Sequence, residues 1–176
     1  MIHRRPLLLA GLAAPAAALA APKAASNAPP VPVPAELWEA RFARPEGGEL
    51  DMAGLRGRWL LINFWATWCA PCVKELPEFN AFAQGQAARG KSGWQVVGLA
   101  IDGPTPVRQF LARFTPPLGF PIGLAGLNGA EWARKLGNSA GGLPFTVAVN
   151  PSGQRVWAQR GETDRRALEA LVLSLG

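Results

Sequence analysis

Trp59-Leu60-Leu61-Ile62-Asn63-Phe64-Trp65 is a nearly continuous apolar run, and the only two cysteines of the chain, Cys69 and Cys72, follow it within a few residues. A run of this length reads as a central strand covered on both faces. The stretch from Pro71 to about Ala88 then reads as a helix, with Leu76, Phe79 and Ala83 on one side. A strand that hides both faces requires a layer on each side of its sheet. The chain is therefore constrained to an α/β architecture, with both thiols where the central strand turns into a helix.

The remaining elements follow in order. From Glu36 to Arg44, the apolar Trp38, Ala40 and Phe42 alternate with other residues, which predicts a half-buried strand. Pro45-Glu46-Gly47-Gly48 turns the chain, and Leu50 to Leu55 makes a short return and a helical turn. Trp94 to Ile101 is a second central strand. Thr105 caps a helix with Pro106 at its first position, running to about Phe114. Ala130 to Leu136 is a short helix ended by Gly137. Phe145–Asn150 and Gln154–Arg160 are strands joined by a Pro151-Ser152-Gly153 turn. A last helix begins at Thr163 and carries Leu168, Leu171, Val172 and Leu175 on one stripe. The pattern predicts a mixed sheet with helices on both faces.

Two cysteines three apart close a loop too short to add much stability by chain entropy. A secreted chain that used cysteine for stability would show several pairs at wider spacing. A structural zinc site needs four ligands, whereas the sole histidine is His3, at the extreme N-terminus. Copper held by two thiolates remains an alternative chemistry, although such loops favour glycine and methionine over tryptophan and proline. A disulfide that opens and closes with little effect on the fold is the reading these residues favour.

Residues 1–20 have the pattern of a signal peptide: a basic start through Arg4-Arg5, an apolar run from Leu7, and an Ala18-Leu19-Ala20 cleavage motif. The paired arginines also fit the twin-arginine route loosely, and an uncleaved N-terminal anchor is the other reading. Residues 21–35 are a Pro/Ala-rich linker, with five prolines between Ala21 and Pro34. Residues 36–176 form one domain, and a chain with 49% hydrophobic residues overall can bury a full core. Loss of Arg4 and Arg5 with the leader would lower the net charge from +6 to +4. The remaining basic residues are scattered rather than clustered with aromatics, which argues against nucleic acid as a partner.

The order of elements, with Asn63-Phe64-Trp65-Ala66-Thr67-Trp68-Cys69-Ala70-Pro71-Cys72, Glu75, Pro77 and Gly142-Leu143-Pro144, resembles the thioredoxin-fold family. More closely, it is similar to the TlpA/ResA-like periplasmic thiol:disulfide oxidoreductases. The resemblance covers roughly residues 36–175. It implies a thioredoxin fold with an N-terminal β-hairpin and a helical insertion before the final hairpin.

The resemblance also implies roles. Cys69, at a helix N-terminus that favours a thiolate, is the nucleophile, and Cys72, one turn deeper, resolves the mixed disulfide. Pro71 stiffens the loop between them. Glu75 matches an acidic residue of ResA-like proteins and would serve as acid and base, since Asn63 stands where thioredoxins carry a titrating aspartate. Leu143-Pro144 is expected to be a cis peptide beside the cysteines, where exposed backbone pairs with an extended substrate segment. Trp65 and Trp68 would flank the sulfurs, with Trp68 on the substrate side. Pro77 should kink the active-site helix.

The function implied is reduction of disulfides in exported proteins, of the cytochrome c maturation or copper-site assembly type. No cofactor is expected beyond the redox-active Cys69–Cys72 disulfide, and no metal. Electrons would come from a membrane thiol–disulfide donor, and a monomer is expected. The alternatives are an oxidant that inserts disulfides, or a copper-binding chaperone using the same cysteines. Ala70-Pro71 supplies neither charge nor imidazole to stabilise a thiolate, which favours the reductant. A peroxiredoxin is disfavoured because no Pro-x-x-x-Thr-x-x-Cys leads to Cys69. An isomerase is disfavoured because residues 1–35 are too short for a dimerisation domain.

Overall fold

A computed structural model describes residues 29–175, so the expected leader lies outside the described residues. Eight strands form one mixed sheet in the order β1-β8-β7-β4-β5-β6-β2-β3. They are β1 (Val31–Pro32), β2 (Arg41–Ala43), β3 (Glu49–Asp51), β4 (Leu60–Trp65), β5 (Gln95–Ala100), β6 (Ile122–Leu124), β7 (Phe145–Val149) and β8 (Gln154–Arg160). Strands β4, β5 and β6 run parallel to one another, and the other pairings are antiparallel. The helices are α1 (Glu36–Glu39), α2 (Ala70–Ala87), α3 (Pro104–Leu111), α4 (Gly129–Lys135) and α5 (Arg165–Leu175).

Strand β4 is buried at every position, as its unbroken apolar run predicts. Its period-two alternation divides the core. Leu61 and Trp65 face the cluster that includes Leu76, Phe79, Leu168 and Leu171 of α2 and α5. Leu60, Ile62 and Phe64 face a second cluster with Leu37, Trp38, Met52, Val97, Phe145 and Leu136. Burying side chains of this size contributes about 1.5–3 kcal/mol each, so these two layers clamp the strand that leads to the cysteines. Return from α2 to β5 passes Gly93, where a Cβ would lie 2.0 Å from the Gln86 carbonyl oxygen, so no side chain fits there.

Several local expectations change. Residues 36–39 form one helical turn rather than the start of a strand, because Leu37 and Trp38 are both buried and adjacent residues of a one-sided strand cannot be. Helix α3 starts at Pro104 with Gly103 as its cap, so Thr105 and Pro106 lie inside the first turn. Thr163 does not open α5. Asp164 caps it, accepting the Ala167 N–H at 2.7 Å. The insertion contributes a strand, β6, as well as the short α4. Val31–Pro32 of the proline-rich stretch pairs with Arg155 and Gln154 of β8, and Val33 N–H donates to the Gly153 carbonyl, so that part of the stretch belongs to the sheet.

Candidate active site

The chain leaves β4 at Trp65, passes through Ala66-Thr67-Trp68 and enters α2. Cys69 is the N-cap of that helix, and its Sγ accepts the Cys72 N–H at 3.3 Å. This satisfies one of the amide donors that every helix leaves open at its start. Cys69 and Cys72 are joined in a disulfide, with Cα atoms 5.2 Å apart. Pro71 lies in the first turn of α2, where a missing N–H costs nothing. Cys69 is 6% exposed and Cys72 fully buried, whereas Trp68 beside them is 70% exposed.

The approach loop is fastened from the neighbouring strand. Asp102, just after β5, accepts both the Thr67 N–H at 3.2 Å and the Thr67 hydroxyl at 2.5 Å on one oxygen. Its other oxygen accepts the Gly103 N–H at 2.7 Å. The Ile101 N–H donates to the Trp65 carbonyl. Sequence reasoning missed Asp102. Its place at the C-terminal end of a parallel strand, where α/β sheets build their sites, is the signal that marks it.

Glu75, one turn beyond Cys72, is 1% exposed. One of its oxygens accepts the Asn63 side-chain amide at 2.7 Å, and the other accepts the Thr163 N–H at 3.0 Å. Asn63 and Thr146 are cross-strand partners of β4 and β7, and the same Asn63 nitrogen reaches the Thr146 hydroxyl at 3.1 Å. Burial pushes the Glu75 carboxyl up to about 7. The bonds from Thr163 and Asn63 pull it down, and the Glu162 charge raises it further. Glu162 is itself paired with Lys74. Glu75 is therefore a buried acid poised near neutrality rather than an ordinary solvated helix residue.

The Leu143–Pro144 peptide is cis. Pairing of Phe64 with Phe145 sets Pro144 at the end of the sheet where β4 runs out into the cysteine loop. Pro144 is buried, and Leu143 is half-buried between the two core clusters. Trp65 is wholly buried and packs on Phe110 at 5.5 Å, so of the two tryptophans only Trp68 meets solvent. Pro77 lies inside α2. A second cis peptide, Thr115–Pro116, has no counterpart in the sequence reading.

The Redoxin family model matches residues 15–172. The chain belongs to the Redoxin family. Among curated relatives, the thiol-disulfide oxidoreductase ResA of Bacillus cereus is 28% identical over 129 residues, covering 72% of this chain and 69% of that one. A thioredoxin-related protein from Neisseria meningitidis serogroup B is 31% identical, with a TM-score of 0.64 over 75% of this chain and 96% of its own. A thioredoxin family protein from Chlorobium tepidum superposes with a TM-score of 0.67 at 24% identity, covering 85% and 98% of the two chains. This Redoxin member thus has a thioredoxin fold and is a thiol-disulfide oxidoreductase, whose substrates are thiols and disulfides.

Proposed function

We propose that this enzyme reduces disulfides of exported proteins, with Cys69 as nucleophile, Cys72 as resolving thiol and Glu75 as the proton acceptor and donor. The observation that carries the reading is Glu75: a buried carboxyl at about 7, one turn from the inner cysteine. The reduced Cys69 thiolate attacks one sulfur of a substrate disulfide. A new Cys69–substrate S–S bond forms, the substrate bond breaks, and one substrate thiolate leaves. Cys72 then passes its proton to ionised Glu75 and attacks Cys69 Sγ. The Cys69–Cys72 bond forms and the second substrate sulfur leaves as a thiolate, which takes up a proton. Two electrons pass from the dithiol to the substrate, and the enzyme is left as the disulfide seen here.

Trp68, Pro71, Leu143 and Pro144 frame the substrate side of the sulfurs in this reading. The disulfide itself is the electron carrier, and no other cofactor is invoked. Residues 1–20, with their leader pattern, support an extracytoplasmic location, and a membrane thiol–disulfide donor would then recharge the enzyme. Among the described residues no helix is long and apolar enough to cross a membrane. The family resemblance suggests targets of the cytochrome c maturation or copper-site assembly type, and a monomeric state is part of the same proposal.

Direction is tested by the equilibrium potential against glutathione, read by thiol alkylation. Because Ala70-Pro71 adds no charge or imidazole, the expected value lies nearer the ~−270 mV of thioredoxin than the ~−120 mV of a strong periplasmic oxidant. A potential above about −150 mV on the same scale would overturn the reductant in favour of an enzyme that inserts disulfides.

A further inference from the structure

Asn63 holds Glu75 and Thr146 through the same nitrogen, while its own carbonyl oxygen is buried with no partner. The residue is fully buried on the face of β4 that looks toward α2. An orphaned acceptor beside a carboxyl that changes its protonation state near neutrality is a departure from the usual pairing of buried polar atoms.

The two Glu75 oxygens are not equivalent. The Thr163 backbone N–H can only donate, so the oxygen facing it must remain an acceptor in every state. When Glu75 gains a proton, the proton therefore goes to the oxygen facing Asn63. That places an O–H donor 2.7 Å from an NH₂ donor, a repulsive pairing. A half-turn of the Asn63 amide relieves it by bringing the orphaned carbonyl to face the new hydroxyl. Thr146 permits the turn without losing its own bond, because a hydroxyl both accepts and donates. In the anionic state it accepts from the Asn63 NH₂, and in the acid state it would donate to the Asn63 carbonyl. Each state keeps two hydrogen bonds at the Asn63 amide, and the unpartnered end is the carbonyl in the anionic state and the NH₂ in the acid state.

We propose that Asn63, supported by Thr146, is a positioning residue that reverses its amide each time Glu75 gains or loses its proton, so that the carboxyl is hydrogen-bonded equally well in both forms. This deepens the proton-transfer reading of Glu75 and rests on it for its catalytic meaning. The charged or titratable groups around Glu75 are few. Glu162, in the segment between β8 and α5, is tied to Lys74 of α2. Asp164 is turned toward the α5 cap. Cys72 of α2 is locked in the disulfide. Strands β4 and β7 offer only the neutral Asn63 and Thr146.

The test is side-chain amide NMR on the oxidised full chain, in which neither cysteine titrates. The cross-peak between the Asn63 NH₂ protons and the Thr146 methyl should be strong at high pH and fall several-fold on acidification. Its midpoint should match that of the Glu75 carboxyl carbon. In Glu75→Gln the Gln oxygen must face the Thr163 N–H, so its NH₂ faces Asn63, and the weak acid-form cross-peak should appear at every pH. A cross-peak unchanged across the wild-type titration overturns the proposal, as does a Glu75→Gln variant that retains the strong high-pH pattern. The wild-type titration stands alone if the variant does not fold. Loss of disulfide reductase activity in Cys69→Ser tests the functional reading separately, since the amide measurement needs no turnover.

Discussion

The Cys72 amide N–H points at Cys69 Sγ from 3.3 Å, so the outer sulfur caps the helix that carries the inner one. A thiolate at Cys69 would meet the same donor in a charge-assisted bond, which is stronger than a neutral one. The pair is thus polarised before any substrate arrives. Cys69 lies at the rim and Cys72 beneath it.

Replacement of either cysteine should separate the two roles. Cys69→Ser is expected to abolish disulfide reductase activity, whereas Cys72→Ser should accumulate mixed disulfides with substrates, visible on non-reducing gels. In the reduced enzyme Cys69 should be alkylated faster, because it alone is partly exposed. Faster labelling of Cys72, read by mass spectrometry, would reverse the assignment.

Glu75 couples stability to pH. Its folded value of about 7 lies above the ordinary 4.5, so between these values the folded state binds more protons than the unfolded one. Stability contributed by the protonated carboxyl is then fully present below pH 4.5 and is lost as pH rises through 7. The span corresponds to about 3 kcal/mol at most. Denaturant melts at pH 5 and pH 8 should show wild type losing stability in this window and Glu75→Gln losing much less. The same variant should slow resolution of the mixed disulfide by about 10²-fold or more through loss of the proton acceptor.

Asp102→Ala should loosen the loop ahead of the cysteines. It removes the acceptor for two Thr67 donors, one of them backbone. A loss of about 1–2 kcal/mol is expected, together with lower kcat/KM. Unaltered activity with unaltered thermal stability would mean that the Thr67–Asp102 clasp does not position the nucleophile.

Trp68→Ala should act on substrate alone. The side chain is 70% exposed, so its removal should leave stability within about 0.5 kcal/mol. If Trp68 anchors protein substrates, KM should rise about tenfold, equivalent to ~1.4 kcal/mol. A small disulfide substrate should be processed as before. Equal losses on both substrates would instead place Trp68 in the chemistry.

Strand β4, helix α2 and strand β8 are legible in the sequence because each carries a long, consistent pattern, and the cysteines stand out by number and spacing. Strand β6 is not, since three residues are too few for a period to register. Helix α1 imitates strand alternation over one turn, and only the joint burial of Leu37 and Trp38 separates the two. The surroundings of Glu75 are illegible for another reason. Asn63, Thr146 and Thr163 lie 12 to 88 residues from their hydrogen-bond partners in this network. Only the completed sheet brings them together. Glu75 itself could be singled out, but not the amide and hydroxyl that hold it.

Strand β1 sets how the domain can be held. Val33 joins the Gly153 turn, at the end of the sheet where β4 begins, while the cysteine loop departs from the end where β4 finishes. Because β1 runs antiparallel to β8, with Pro32 at Gln154 and Val31 at Arg155, the chain reaches Val31 from the side where Arg160 pairs with Phe145, which is the cysteine end of the sheet. A tether continuous with Val31 would come in along the β8 edge from that same end, so a large partner would have to approach the sulfurs from another side.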